Sequence, residues 1–156
     1  MRIYSVSGSK LTEIREERIK LERQIQRLTE ENLELIFSLE HVRSEFYLHD
    51  YRIDTLAFDR DARAFVIIEY KKDKKVRLEQ GMTYYNLMLN NQADFILEYR
   101  DRSTRTLRKK DVQWEQSRVI FIAPEFTKPQ QTAIRFNDRI QLYEAHMYNH
   151  SLLVFN

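Results

Sequence analysis

The stretch from Arg52 to Lys71, RIDTLAFDRDARAFVIIEYK, constrains this chain more than any other. Two apolar runs, RIDTLAF and AFVIIEY, flank the polar segment DRDAR, and that pattern predicts an antiparallel hairpin. A turn centred near Asp61 and Ala62 sets Asp54 opposite Glu69. Opposed residues share a face, with Cβ atoms roughly 5 Å apart. Lys71 lies two residues beyond Glu69 and points the same way. The hairpin thus ends in two carboxylates and a lysine beside a strongly apolar strand. A structural ion pair is one reading of that cluster. A divalent-metal site is the stronger one.

The rest of the composition permits such a site without demanding it. With 156 residues and 42% apolar content, one α/β domain over residues 1–156 is expected. Net charge is only +2, so any argument for a polyanionic partner rests on local clusters. The absence of cysteine excludes a disulfide framework, thiolate chemistry and zinc-finger patterns. No apolar run approaches the roughly 18 residues of a spanning helix, and MRIYSVSGSK lacks a secretory core. A soluble, cytoplasmic protein with no membrane contact is the expectation.

RIYSV reads as a short strand and SGSK as a turn. Residues 11–37 are rich in Glu, Arg, Lys, Leu and Ile, without Gly or Pro, and predict a long N-terminal helix. Ile14, Leu21 and Leu28 repeat every seven residues on it, which suits either a helix covering a sheet or a short coiled coil. Homodimerisation through some surface is expected. HVRSEFYL predicts a strand, then the hairpin, then a helix from Arg77 to Leu89 with Leu78, Met82, Tyr85 and Leu89 as its apolar stripe. ADFILEY predicts a strand, RVIFI a buried strand, and residues 140–147 and 152–155 a closing hairpin. Thr127, with Pro129 and Gln130 following, has the spacing of a capped helix start. The order predicts a mixed central sheet flanked by helices.

Phosphodiester hydrolysis needs an activated water and neutralisation of charge on the phosphoryl group, and a carboxylate-held metal supplies both. Asp54 and Glu69 are hard oxygen ligands suited to Mg²⁺, with Mn²⁺ as a substitute. Lys71 on the same face is placed to orient or deprotonate a water, or to stabilise developing charge. Two basic clusters suit a polyanion: Lys71, Lys72, Lys74, Lys75 and Arg77, then Arg100, Arg102, Arg105, Arg108, Lys109 and Lys110. Tyr70, Tyr84, Tyr85, Tyr99 and Trp114 offer base-stacking surfaces, although strand alternation favours core packing for most. His41, His49, His146 and His150 have no ligand spacing, and Asp59 and Asp61 read as turn formers.

RID followed by the glutamate of IIEYK fifteen residues on resembles the core of the PD-(D/E)XK nuclease superfamily, the restriction-endonuclease-like fold. RIDTLAFD, FVIIEYK, the downstream Q-x-x-x-Y and RVIFIAPEFT extend the likeness to small nuclease-like domains across nearly the whole chain. Some of those carry a transport label that nothing in these residues supports. The resemblance implies a Mg²⁺-dependent DNA endonuclease, with Asp54 and Glu69 on the metal and Lys71 as third catalytic residue. It implies that Gln80 and Tyr84 organise the site or contact the substrate backbone. It also implies a first-helix carboxylate on the metal, Glu22 by register, with Glu31 as rival. Ile53 stands where the superfamily's name has proline, a position without chemistry. Two other readings remain open: a catalytically silent module on the same fold that binds nucleic acid or a partner protein, and a structural coiled-coil adaptor.

Overall fold

The computed structural model describes residues 1–20 and 22–156. Strands β1 (Ile3–Ser7) and β2 (Lys10–Ile14) form a separate hairpin, closed by the two-residue turn Gly8–Ser9 with Gly8 at φ 60°. A left-handed residue is what a tight hairpin turn requires, and glycine adopts it without strain.

The main sheet contains β3 (Glu16–Glu17), β4 (Glu40–Leu48), β5 (Tyr51–Asp59), β6 (Ala64–Tyr70), β7 (Arg118–Ala123), β8 (Ile140–Tyr148) and β9 (Leu152–Phe155). Its order is β3-β8-β7-β6-β5-β4, with β9 also paired to β8. β4–β5–β6 is an antiparallel meander, whereas β6–β7 and β7–β8 are parallel. The parallel pairs need crossovers. Helices α3 (Leu78–Asn90) and α4 (Gln92–Arg102) lie in the first, and α5 (Lys128–Ala133) in the second. α1 (Glu22–Glu30) and α2 (Leu33–Phe37) precede β4.

Strand alternation divides the core. Phe65 and Ile67 of β6 pack with Leu87, Met88, Phe95 and Tyr99 on the α3–α4 side. Val66, Ile68 and Tyr70 pack with Ile25 and Leu33 on the α1–α2 side. Every residue of β6 is buried, as expected of a central strand covered on both faces. By the same alternation Glu69 faces α3.

Two expectations are corrected. Residues 11–37 are not one helix but the end of the β1–β2 hairpin, β3, and the two helices α1 and α2. Ile14 lies in β2 paired with Ile3, so it takes no part in a helical seam; Leu21 lies outside the described residues. Asn32 at φ −131° breaks α1 from α2, and Ser38 in the left-handed region ends α2. Residues 93–99 are helical, not extended. Phe95, Ile96 and Tyr99 form the buried stripe of α4, while Leu97 faces solvent. A short apolar run fits either period, and here the tertiary context of a parallel crossover decides it. The capped start at Thr127 is present: the Thr127 hydroxyl accepts from the Gln130 amide at 3.3 Å and the Gln130 side chain accepts from the Thr127 amide at 2.7 Å. Among the described residues, no helix is long and apolar enough to cross a membrane.

Candidate metal-dependent phosphodiesterase site

Asp54 lies on β5 and Glu69 on β6, and the register Thr55↔Ile68 carries the pairing to those two positions. They are 9% and 2% exposed, respectively. The ladder does not continue through backbone groups alone. The Glu69 carboxylate accepts from the Asp54 amide at 2.9 Å, and the Asp54 carboxylate accepts from the Tyr70 amide at 3.1 Å. Each acid thus secures the other's strand with one oxygen. Asp54 Oδ1 meets Arg52 Nη2 at 3.6 Å.

Two buried acids in contact cannot both ionise cheaply. Burial pushes Glu69 up to about 8, the charge of Asp54 adds to that, and the Asp54 amide and Lys71 only partly oppose it. Burial also raises Asp54, against the Tyr70 amide, Lys71 and Arg52. Arg52 and Lys71 offset the cost of burial only in part, so the pair holds a proton more readily than isolated carboxylates do. Hard carboxylate oxygens at the carboxyl end of a parallel strand are a donor set that fits Mg²⁺ once Glu69 gives up its proton.

Lys71 follows at the end of β6, its amide donating to the Ile122 carbonyl at 2.8 Å, which fixes the backbone where the lysine leaves the sheet. α3 supplies the second wall. Gln80 donates to the Tyr84 hydroxyl at 3.0 Å, and that hydroxyl donates to the Arg52 carbonyl at 2.8 Å. Burial and the nearby Glu69 hold Tyr84 up at about 12. Between Gln80 and Tyr84, Gly81 lets α3 approach the sheet: a Cβ there would lie 2.9 Å from the Phe121 ring. The motif spacing and this close approach place Gln80 and Tyr84 on the carboxylate side.

Glu22 reaches the same strand end from α1, where its carboxylate accepts from the Lys72 amide at 3.1 Å. Glu31 turns away to solvent and pairs with Arg27 at 2.9 Å. Among the described residues, no three carboxylate or imidazole groups converge as a metal cluster, so Asp54, Glu69 and Glu22 are neighbours along the strand end without meeting at one point.

Sequence reasoning missed the support behind Asp54. Gln26 of α1 donates to the Asp54 carbonyl at 3.0 Å and to Glu30 at 3.0 Å. Glu30 also accepts from Thr55, and from Ser44 at 2.8 Å. The Tyr70 hydroxyl completes the network at 3.0 Å from Thr55. The available signal was alternation: Thr55 and Tyr70 are polar groups on a buried face and need partners from the covering helix.

The two basic clusters separate. Lys71, Lys75 and Arg77 stay with the candidate site, lining one groove with Gln80 and Tyr84. The segment after α4 lies instead at the hairpin-turn end, where Gln113 bonds the Arg63 carbonyl and Tyr99 bonds Glu40. Several of its charges are engaged locally, with Arg102 on Glu98 and Arg108 on Asp111. Most of the proposed stacking aromatics belong to the core: Tyr70, Tyr84 and Tyr99 are buried, and Trp114 stacks on Phe65. The histidines make local contacts, His41 with Ser44, His49 with Asn91, His146 with Glu16 and Glu144, and His150 with Glu17.

The mixed sheet, its flanking helices and the Asp54–Glu69 strand pair define a PD-(D/E)XK-like restriction-endonuclease fold. The EndoMS-dsDNA2 complex superposes with TM-score 0.54 and 16% identity, over 92% of this chain and 64% of that one. EndoMS in apo form gives TM-score 0.54 and 16% identity, over 86% and 48%. No family model matches the chain. An uncharacterised protein of Haemophilus influenzae is 42% identical over 158 residues, which take in 100% of this chain and 52% of that protein. The chain thus spans about half the length of the curated relative it matches.

Proposed function

We propose that this domain is a Mg²⁺-dependent endonuclease acting on DNA phosphodiester bonds, with Mn²⁺ as an alternative ion. The observation that carries this reading is the buried Asp54–Glu69 pair, whose carboxylates accept from each other's strand, with Lys71 at the same strand end. A bound divalent ion would neutralise charge on the phosphoryl group and lower the pKa of an attacking water. Asp54 and Glu69 hold the ion. Glu22, beside the Lys72 amide on the adjoining helix, would add a further carboxylate to the ion's surroundings. Lys71, as an ammonium, would orient the attacking water or stabilise charge on the phosphoryl oxygens. Gln80 and Tyr84 keep the Arg52 backbone in place two residues before Asp54. Cleavage of DNA by purified protein in Mg²⁺, absent in EDTA and abolished by Asp54→Ala or Lys71→Ala in folded protein, tests the reading. Full cleavage by both variants would overturn it.

One observation favours a second reading, a nuclease-fold module that binds nucleic acid or a partner without cutting. The third carboxylate does not join the first two among the described residues, and each of the first two already satisfies a backbone amide. DNA binding unaffected by Mg²⁺ and without cleavage would establish that reading over the first.

A further inference from the structure

Beside the carboxylate end of β6 the surface opens into a groove of about 440 Å³ lined by three cations, Lys71, Lys75 and Arg77, one acid, Glu79, and Tyr51, Gln80, Thr83 and Tyr84. That volume falls within the roughly 300–1,000 Å³ of small-ligand sites and is sufficient for a nucleotide. Its aromatic and cationic groups differ in availability. Tyr84 is buried and its hydroxyl is committed to Arg52, so its ring forms the wall. Tyr51 starts β5, is 40% exposed, and meets Tyr84 edge-to-face at 6.1 Å and 88°, which steadies the ring while leaving surface open. Among the described residues no carboxylate lies within ion-pair distance of the Lys71 or Lys75 ammonium groups. Arg77 pairs with Glu79 at 2.9 Å in a highly exposed contact that competes with water.

A steadied, partly exposed ring beside unpaired ammonium groups is the chemistry that takes a single strand: the base stacks, and the phosphates meet the lysines. A base inside a duplex has both faces covered by its neighbours and offers Tyr51 none. We propose that this groove binds an unpaired nucleotide, with its base on Tyr51 and its phosphates on Lys71 and Lys75. The nuclease reading would then apply to single-stranded or frayed DNA; the cleavage part of this inference rests on that reading, whereas the binding part does not.

The test uses EDTA throughout, so cleavage plays no role. Fluorescence anisotropy compares three labelled probes: a single-stranded dT 12-mer, an abasic strand of the same length and charge, and a blunt duplex. The wild-type protein binds the dT strand at least about fivefold more tightly than the abasic strand, the lower range for one stacked base. Tyr51→Ala removes that difference, Tyr51→Phe keeps it, and Lys75→Ala weakens both single strands alike. Equal binding of dT and abasic strands by the wild-type protein, tighter binding of the duplex, or no binding of any probe overturns the proposal. The wild-type comparison decides even if Tyr51→Ala unfolds. A wild-type protein that discriminates the probes yet cuts no DNA in Mg²⁺ would overturn the nuclease reading and leave the groove assignment standing.

Discussion

Asp54 and Asp59 lie five residues apart on β5, at opposite ends of the same hairpin, and meet opposite treatment. Asp59 is fully provided for. One oxygen accepts from the Ala62 amide at 3.0 Å, and the other from Arg118 Nη2 at 3.1 Å, so it closes the turn and fastens the hairpin to β7. Asp54 instead faces a second buried acid, with its nearest guanidinium nitrogen at 3.6 Å. The same side chain is a rivet at one end and half of a buried acid pair at the other. Two adjoining buried acids carry a cost that a bound cation would relieve, and the proposed metal site predicts that cost.

The largest expected contrast is in cleavage. Lys71→Ala should lower Mg²⁺-dependent cleavage by about 10²–10³-fold, the range for losing one group that stabilises transition-state charge, and Asp54→Ala should abolish it. Asp59→Asn should leave the rate unchanged. Single-turnover assays on one DNA substrate measure all three, and a Lys71→Ala rate equal to that of Asp59→Asn would erase the distinction between the two ends.

Stability should move the other way. In EDTA at pH 8.5, Glu69→Gln removes the unfavourable charge while keeping an acceptor for the Asp54 amide, and should stabilise the fold by on the order of 1–2 kcal/mol. Asp59→Ala takes from Arg118, largely buried, its carboxylate partner and leaves it only the Gln141 side chain, and should destabilise by about 1–3 kcal/mol. Urea unfolding reads both. The pH dependence has a definite sign. In the fold Glu69 releases its proton near 8, against 4.5 for the ordinary group. Between those values the folded state binds more protons than the unfolded one, so this residue's contribution to stability falls as pH rises through the window and is flat on either side. Urea midpoints of the wild-type protein should drop across that window more than those of Glu69→Gln.

Much of this contrast was legible in the sequence. The hairpin register followed from two β-forming runs symmetric about DRDAR, and a period of two puts Asp54, Glu69 and Lys71 at one end. The Gln80–Tyr84 spacing and the Thr127 cap are local signals and both helices form, but α3 buries Gly81, Tyr84, Leu87 and Met88 rather than the expected stripe of Leu78, Met82, Tyr85 and Leu89, and Met82 is exposed. Other features depend on partners distant in the chain. Lys10–Ile14 carries helix-forming residues yet pairs with β1, because a Gly-containing turn brings the two runs together. ADFILEY suits either period until the crossover claims it. The separation of the second basic cluster from the carboxylates, and the link from Gln26 to Asp54, depend on tertiary placement, which no spacing along the chain reports.

The smallest expected effect sharpens the same comparison. Gly81→Ala gains about 1 kcal/mol of helix propensity, but its Cβ would press on a fully buried Phe121 ring, and such overpacking costs about 1–3 kcal/mol. A net loss of about 1 kcal/mol in urea unfolding is expected, with a drop in cleavage as α3 and its Gln80–Tyr84 bond shift. Unchanged cleavage would mean that α3 does not position the site.

Calorimetric titration of Mg²⁺ into the protein at pH 7, repeated in buffers of different ionisation enthalpy, tests the Asp54–Glu69 pair most directly. Binding should release about one proton per ion, the proton that Glu69 retains up to about 8. Glu69→Gln should abolish the release and weaken binding, whereas Asp59→Asn should change neither. Absence of Mg²⁺ binding, or binding with the same proton release in Glu69→Gln, would contradict the assignment of this pair as a metal site.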